Sequence, residues 1–109
     1  MAIPTTTINE RTTLVLTLTF LNDTGDEVDP DAATLRIDDV TSNTVVRAVT
    51  ALVNPTSGME VEITSAENAM KTTRGKEERV VTVEFDYGIG RHGTQEYRYY
   101  LAGLVGVAN

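Results

Sequence analysis

The chain contains neither cysteine nor tryptophan, and its single histidine is His92. Without cysteine it can form no disulfide and no thiolate-bound metal site. Because small secreted domains often need disulfides, an intracellular origin is favoured. Only 6% of the residues are aromatic, so aliphatic side chains have to supply most of the core.

Basic residues are also scarce: nine stand against sixteen acidic residues, and the formal net charge is −7. An acidic domain repels phosphate backbones and anionic lipid surfaces, so we expect no nucleic-acid partner and no membrane partner. No apolar run has the length of a membrane span. The first ten residues, MAIPTTTINE, lack the basic and apolar regions of a signal peptide. These features predict a soluble protein made in the cytoplasm.

The dominant pattern is the alternation of apolar and polar residues, which has the period of a half-buried strand. In TTLVLTLTFL one face carries leucines and Phe20, and the other carries mostly threonines. Comparable runs separated by turn residues predict strands at 12–21, 33–40, 44–49 and 59–64, and on either side of a loop at 88–93.

Six or seven short strands leave almost no room for crossover helices, so antiparallel pairing is expected. We predict an all-β fold, an antiparallel two-sheet β-sandwich of Ig-like architecture, with a small barrel or a jelly roll as the alternative. At most one short helix is expected, near residues 65–70, because Thr64 and Glu67 have the spacing of a capping box. The charged stretch KTTRGKEE, residues 71–78, is interpreted as a solvated loop.

The length of 109 residues fits one domain. We expect an extended N-terminal arm at 1–10, one β-sandwich domain at 11–104 and a short apolar tail at 105–109. The arm either frays or adds a strand to the sheet edge of a neighbouring molecule. Its isolated apolar residues and those of the C-terminal end are candidate contact residues: Ile3, Ile8, Leu104 and Val107.

The sequence GIGRHG, residues 88–93, resembles a phosphate-binding loop only in its glycines. A phosphate loop opens a helix, whereas here a strand follows. Glycines suit the tip of a hairpin because they adopt positive φ angles. Ile89, Arg91 and His92 at that tip are therefore candidates for contact with a partner.

No pattern points to catalysis or to a bound metal. A lone histidine at a hairpin tip lacks the buried carboxylate of a catalytic triad. The carboxylate pairs Glu60 and Glu62, and Glu84 and Asp86, lie on strand faces that we expect to be solvated. The acidic residues of loop 23–31 do not have EF-hand spacing and are interpreted as turn formers, although a bound cation is left open. We expect no enzyme activity, no cofactor and no metal.

Four tyrosines cluster near the end of the chain. Alternation predicts that Tyr97 and Tyr99 point into the core and that Tyr100 and Arg98 point outward. Tyr100 and Arg98 are therefore candidates for an interface, where tyrosine and arginine are enriched.

Four stretches resemble small β-sandwich proteins encoded by tailed bacteriophages and prophages: FLNDTGDEVDPDAATLRIDD, MEVEITSAENAM, RVVTVEFDYG and EYRYYLAGL. The resemblance covers roughly residues 12–104. It implies a non-enzymatic virion structural protein, either a capsid decoration protein or a head–tail or tail accessory protein. Its partners would be other virion proteins and further copies of itself, in a virion assembled in the bacterial host cytoplasm. The alternative is a carbohydrate- or ligand-binding module that uses Tyr87, Tyr100, Arg91 and His92.

Overall fold

A computed structural model describes residues 6–71 and 75–103 of the chain. These residues form seven strands and no helix, and in particular no helix that is long and apolar enough to cross a membrane. The strands are β1 (Thr7–Asn9), β2 (Leu14–Leu18), β3 (Ala32–Asp39), β4 (Thr44–Ala51), β5 (Met59–Ile63), β6 (Lys76–Asp86) and β7 (His92–Ala102). The predicted all-β class and the number of strands are confirmed.

The strands form two sheets. A five-stranded sheet has the order β1-β7-β6-β3-β4, and a two-stranded sheet pairs β2 with β5. Most neighbours are antiparallel, but β1 pairs with β7 in parallel, so the prediction of purely antiparallel pairing is wrong at that edge. A parallel pair needs a long connection, and here β2 to β6 lie between β1 and β7 along the chain.

Alternation along each strand decides which side chains are buried. On β2, Leu18 is buried and Val15 is exposed, and on β5, Ile63 is buried and Glu62 is exposed. The register places Val15 opposite Glu62, so the outer face of the small sheet is solvated. The face of β2 that carries the leucines is the one that packs against the core.

One hydrophobic cluster receives side chains from both sheets. Leu18 and Ile63 enter it from the small sheet, while Ile37 and Val83 enter it from the large sheet. Phe20 meets Phe85 edge to face, with ring centroids 5.0 Å apart. Contacts of this kind join the two sheets through a shared core.

Strand β1 lies within the predicted N-terminal arm. It pairs with this molecule's own β7, where Ile8 lies opposite Leu101 and packs against the core. The sequence analysis predicted no strand there, because three residues with one apolar side chain show no alternation. Residues 1–5 of the arm and the predicted tail at 105–109 lie outside the described residues.

A turn occupies the place of the short helix considered near residues 65–70. The capping box is formed: the Glu67 amide donates to Thr64 Oγ1, and the Thr64 amide donates to Glu67 Oε1 at 3.0 Å. The following carbonyl groups, however, accept hydrogen bonds from distant residues. The Arg79 guanidinium donates to the carbonyls of Glu67 and Ala69, and the Arg11 amide donates to the carbonyl of Asn68. Within the described residues no helix forms after the capping box, and these carbonyl groups accept hydrogen bonds from outside the turn instead of from the following turn of a helix.

The interpretation of residues 71–78 as a solvated loop is wrong for their last residues. Strand β6 begins at Lys76, and the side chains of Glu77 and Arg79 are fully buried on its inward face. Arg79 Nη2 lies 3.1 Å from Glu77 Oε1, and Arg79 Nε lies 3.8 Å from Asp39 Oδ2. The charged residues of this stretch led to the prediction of a solvated loop. Paired charges can nevertheless be buried when they also have hydrogen bonds.

Asp39 is the third buried member of this ionic cluster. Burial raises the pKa of its carboxyl group and Glu77 raises it further, while the hydrogen bond from Ser42 opposes the change. The folded protein therefore favours the uncharged form of Asp39 more than water does.

Candidate functional site

The loop between β6 and β7 is a hairpin tip, as its glycines predicted. Gly88 and Gly90 have φ angles of 62° and 71°, and the Tyr87 amide donates to the Arg91 carbonyl at 3.0 Å. Ile89 at the apex is completely exposed. The tip thus presents one apolar side chain to solvent.

The two charged residues of the tip bind acidic neighbours. Arg91 forms an exposed ion pair with Asp23, with Nη1 3.0 Å from Oδ2. His92 lies between two carboxylates, with Nδ1 2.8 Å from Asp86 and Nε2 3.4 Å from Glu84. The hydrogen bond with Asp86 is the main cause that raises the pKa of His92, and Glu84 adds to it. All three side chains of this group are more than half exposed, so the carboxylates do not orient the imidazole inside a closed pocket.

Arg98 points to the outer face of the large sheet, as predicted, but it is engaged there. Its guanidinium binds Glu78 and also lies 3.4 Å from Glu96. Val80, which lies opposite Arg98 on the same face, is only 6% exposed. Long arginine stems cover apolar neighbours in this way. Arg98 therefore stabilises the sheet of its own molecule.

Tyr100 is half-buried on the same outer face, and the Lys76 ammonium lies 5.6 Å from its ring centroid. Tyr97 and Tyr99 point inward, as predicted. Tyr99 is buried, and its hydroxyl donates to Asn68.

The remaining predicted contact residues are the isolated apolar ones. Ile8 packs against the core beside β7. Ile3, Leu104 and Val107 lie outside the described residues.

The residues of the alternative carbohydrate site do not converge. Tyr87 is buried and lies against Phe85, with ring centroids 5.8 Å apart. Tyr100 lies on the same strand as His92 but roughly 25 Å further along it, at the rise of a strand. No single ligand ring can stack on both tyrosines.

Most acidic residues of loop 23–31 have a polar side-chain or backbone partner, and Asp23 pairs with Arg91. Asp26 accepts from Thr24, Glu27 accepts from the Ser57 hydroxyl, and Asp29 accepts from the Ser57 amide. Within residues 6–71 and 75–103, no group of three or more acidic or histidine side chains is arranged to hold a metal ion.

The sequence analysis missed the surface along β4, which we call the β4 edge and define as residues 44–53. Strand β4 lies at one edge of the large sheet, opposite the β1 edge, and among the described strands it pairs only with β3. The exposed side chains of Val45 and Val49 lie on it, and Val53, just beyond it, is 81% exposed. Sequence alone could not identify this surface, because valine-rich strands are usually buried.

The register of β4 against β3 is irregular. Leu35 lies opposite Thr50 and Ile37 opposite Arg47, so two steps along β3 correspond to three steps along β4. A second irregularity follows between Ile37 and Asp38. Each bulge bends the strand and interrupts the ladder, which is a common protection of an edge against pairing with another strand.

The β4 edge is also nearly free of charge. Residues 40–59 contain no aspartate or glutamate, and Arg47 is their only basic residue. The Arg47 guanidinium binds both carboxylate oxygens of Glu67, and this contact is the main cause that lowers the pKa of Glu67. The edge therefore offers apolar contact area without an uncompensated charge.

No protein-family model, curated protein or solved structure matches this chain.

Proposed function

We propose that this protein is a non-enzymatic structural component that acts by protein–protein contacts in many copies. The observation that carries the proposal is the β4 edge, where exposed valines lie at the rim of a rigid sheet. Neighbouring exposed apolar residues of this kind mark contact surfaces in soluble proteins. The charged groups at the hairpin tip and on the outer face mostly form ion pairs with neighbouring side chains. Such paired groups suit a structural protein better than an active site.

We infer further that the component belongs to a tailed-phage virion, as a capsid decoration, head–tail or tail accessory protein assembled in the bacterial host cytoplasm. The support is the resemblance of four stretches within residues 12–104 to small phage β-sandwich proteins. We also infer an Ig-like sandwich arrangement of the two sheets, which is supported by the core that they share.

Binding to phage particles tests this function. Purified protein should co-sediment with particles, or with capsid or tail proteins, encoded by the genome that carries its gene. The tip variant Arg91→Ser/His92→Ser tests whether the hairpin contributes. Absence of the protein from purified particles, together with failure to bind any particle protein, would refute the virion assignment.

A further inference from the structure

We propose that the β4 edge is an interface between two copies of this chain, which are related by a twofold axis and contact each other through Val45, Val49 and Val53. This inference deepens the proposed function and rests on it for its biological meaning, since it names the partner at the contact surface.

The first argument is where apolar residues are exposed. Within the described residues, seven large hydrophobic side chains are exposed, and four of them fall within residues 40–53: Val40, Val45, Val49 and Val53. The other three are dispersed over β2, the loop that follows it and the hairpin tip: Val15, Leu21 and Ile89. A contact with an apolar centre therefore fits the β4 edge best.

The second argument is charge, which favours a second copy over another partner. Two copies that each carry a net charge of −7 repel one another, so they can approach only where carboxylates are absent or compensated. Residues 40–59 provide twenty positions without an acidic residue. On the neighbouring strand, Asp38 lies opposite Val45, and Arg36 binds it through two nitrogen atoms.

A basic partner would find its complement elsewhere on this molecule. The outer face of the small sheet carries Glu60 and Glu62, which face solvent from β5. A second acidic copy is repelled by that face, and a cationic protein is attracted to it. The neutral β4 edge is thus the surface that suits a copy of this chain.

The third argument concerns geometry. The bulges of β4 interrupt its ladder, so we expect the contact to be made by side chains and not by a sheet that continues through both copies. About a twofold axis near the middle of β4, the two strands run antiparallel. The Val45 end of one strand then meets the Val49 and Val53 end of the other, which gives a self-complementary contact.

Sedimentation velocity over a series of concentrations tests the interface. The wild-type chain should dimerise with a dissociation constant below about 1 mM, which is the range of weak protein contacts. The variant Val45→Thr/Val49→Thr/Val53→Thr keeps β-branched side chains and should raise the dissociation constant by about tenfold or more. The matched control is Val15→Thr, since Val15 is similarly exposed but lies on β2. A wild-type chain that stays monomeric, or a triple variant that dimerises like wild type, would overturn the inference.

Disulfide trapping gives a second readout that does not depend on the triple variant's folding. Because the chain has no cysteine, Val49→Cys introduces one unique thiol. Mixed with Val45→Cys under mild oxidation, Val49→Cys should form covalent dimers faster than when it is mixed with Val15→Cys, because the antiparallel contact places Val49 near Val45 of the second copy. Equal rates would count against the interface. Failure of this inference is distinguishable from failure of the proposed function: a monomer that still binds phage particles overturns only the inference, and a dimer that binds none overturns only the virion assignment.

Discussion

The hydroxyl of Tyr99 donates a hydrogen bond to Oδ1 of Asn68 at 2.8 Å, and both side chains are buried. The side-chain nitrogen Nδ2 of Asn68 in turn donates to the Thr12 carbonyl at 2.7 Å. Through this chain of bonds, β7, the turn at 64–69 and the segment before β2 are joined. Burial is the main cause that raises the pKa of Tyr99 to about 12. Tyr99 therefore stays a hydrogen-bond donor at neutral pH.

Removing the Tyr99 hydroxyl should destabilise the fold. In Tyr99→Phe, Asn68 Oδ1 loses its donor inside the protein, and an unsatisfied buried acceptor costs about 1–3 kcal/mol. Urea unfolding gives the free energy of unfolding. The control is Tyr100→Phe, because Tyr100 lies half-buried on the outer face, and its change should be about 0.5 kcal/mol or less. Equal effects of the two substitutions would contradict the role of the Asn68 contact.

Substitution of Arg79 should lower the free energy of unfolding more than substitution at most other positions of the chain. Replacing it with methionine leaves two carboxyl groups in the core without their cation, and such a break costs about 3–5 kcal/mol. The turn at 64–69 also loses two hydrogen-bond donors. Arg36→Met is the control, since Arg36 pairs with Asp38 at the surface, where water screens an ion pair and leaves it little effect on stability. If both variants unfold at the same urea concentration as wild type, the buried cluster does not stabilise the fold.

Gly93 should not tolerate a methyl group. Gly93 lies opposite Phe85 in the sheet, and a Cβ added to it would lie 2.4 Å from Phe85 Cζ. In Gly93→Ala the Phe85 ring has to shift, which disturbs its edge-to-face contact with Phe20, and strain of this kind costs about 1–3 kcal/mol. The neighbouring exposed substitution Thr94→Ala is the control. The smaller side chain of Phe85→Leu should lessen the cost of Gly93→Ala, and a double-mutant cycle without coupling would rule out the clash.

His92 should titrate above the ordinary histidine pKa of 6.5. Asp86 and Glu84 stabilise its charged form, so the folded pKa lies above the unfolded one. The resulting stabilisation is fully present below the unfolded pKa and is lost as the pH rises through the folded pKa. Because His92 is the chain's only histidine, its ring protons give one assignable titration by NMR. Asp86→Asn should lower the midpoint, whereas Glu62→Gln, on the solvated face of the small sheet, should leave it unchanged. A midpoint at or below 6.5 in the wild type would contradict the contacts at the tip.

The sequence by itself predicted six of the seven strands of the described chain and, for β2 and β7, the faces that they bury. Alternation is a local property, since successive side chains of a strand point to opposite faces wherever that strand lies. It therefore predicted that Tyr99 enters the core and that Tyr100 does not. The glycines of 88–93 likewise predicted a hairpin tip, because positive φ angles are decided by the residue itself.

Only the tertiary structure decided the features that depend on residues far apart in the chain. Strand β1 exists because β7 offers an edge more than ninety residues later, as in the pairing of Thr7 with Tyr100. The charged residues at the start of β6 are buried because Arg79 meets Asp39 and Glu77 there. The valines of β4 remain exposed because no further strand of the described chain pairs beyond it. Local periodicity carries no information about which strand ends a sheet, and that is why the candidate interface could be found only in the folded molecule.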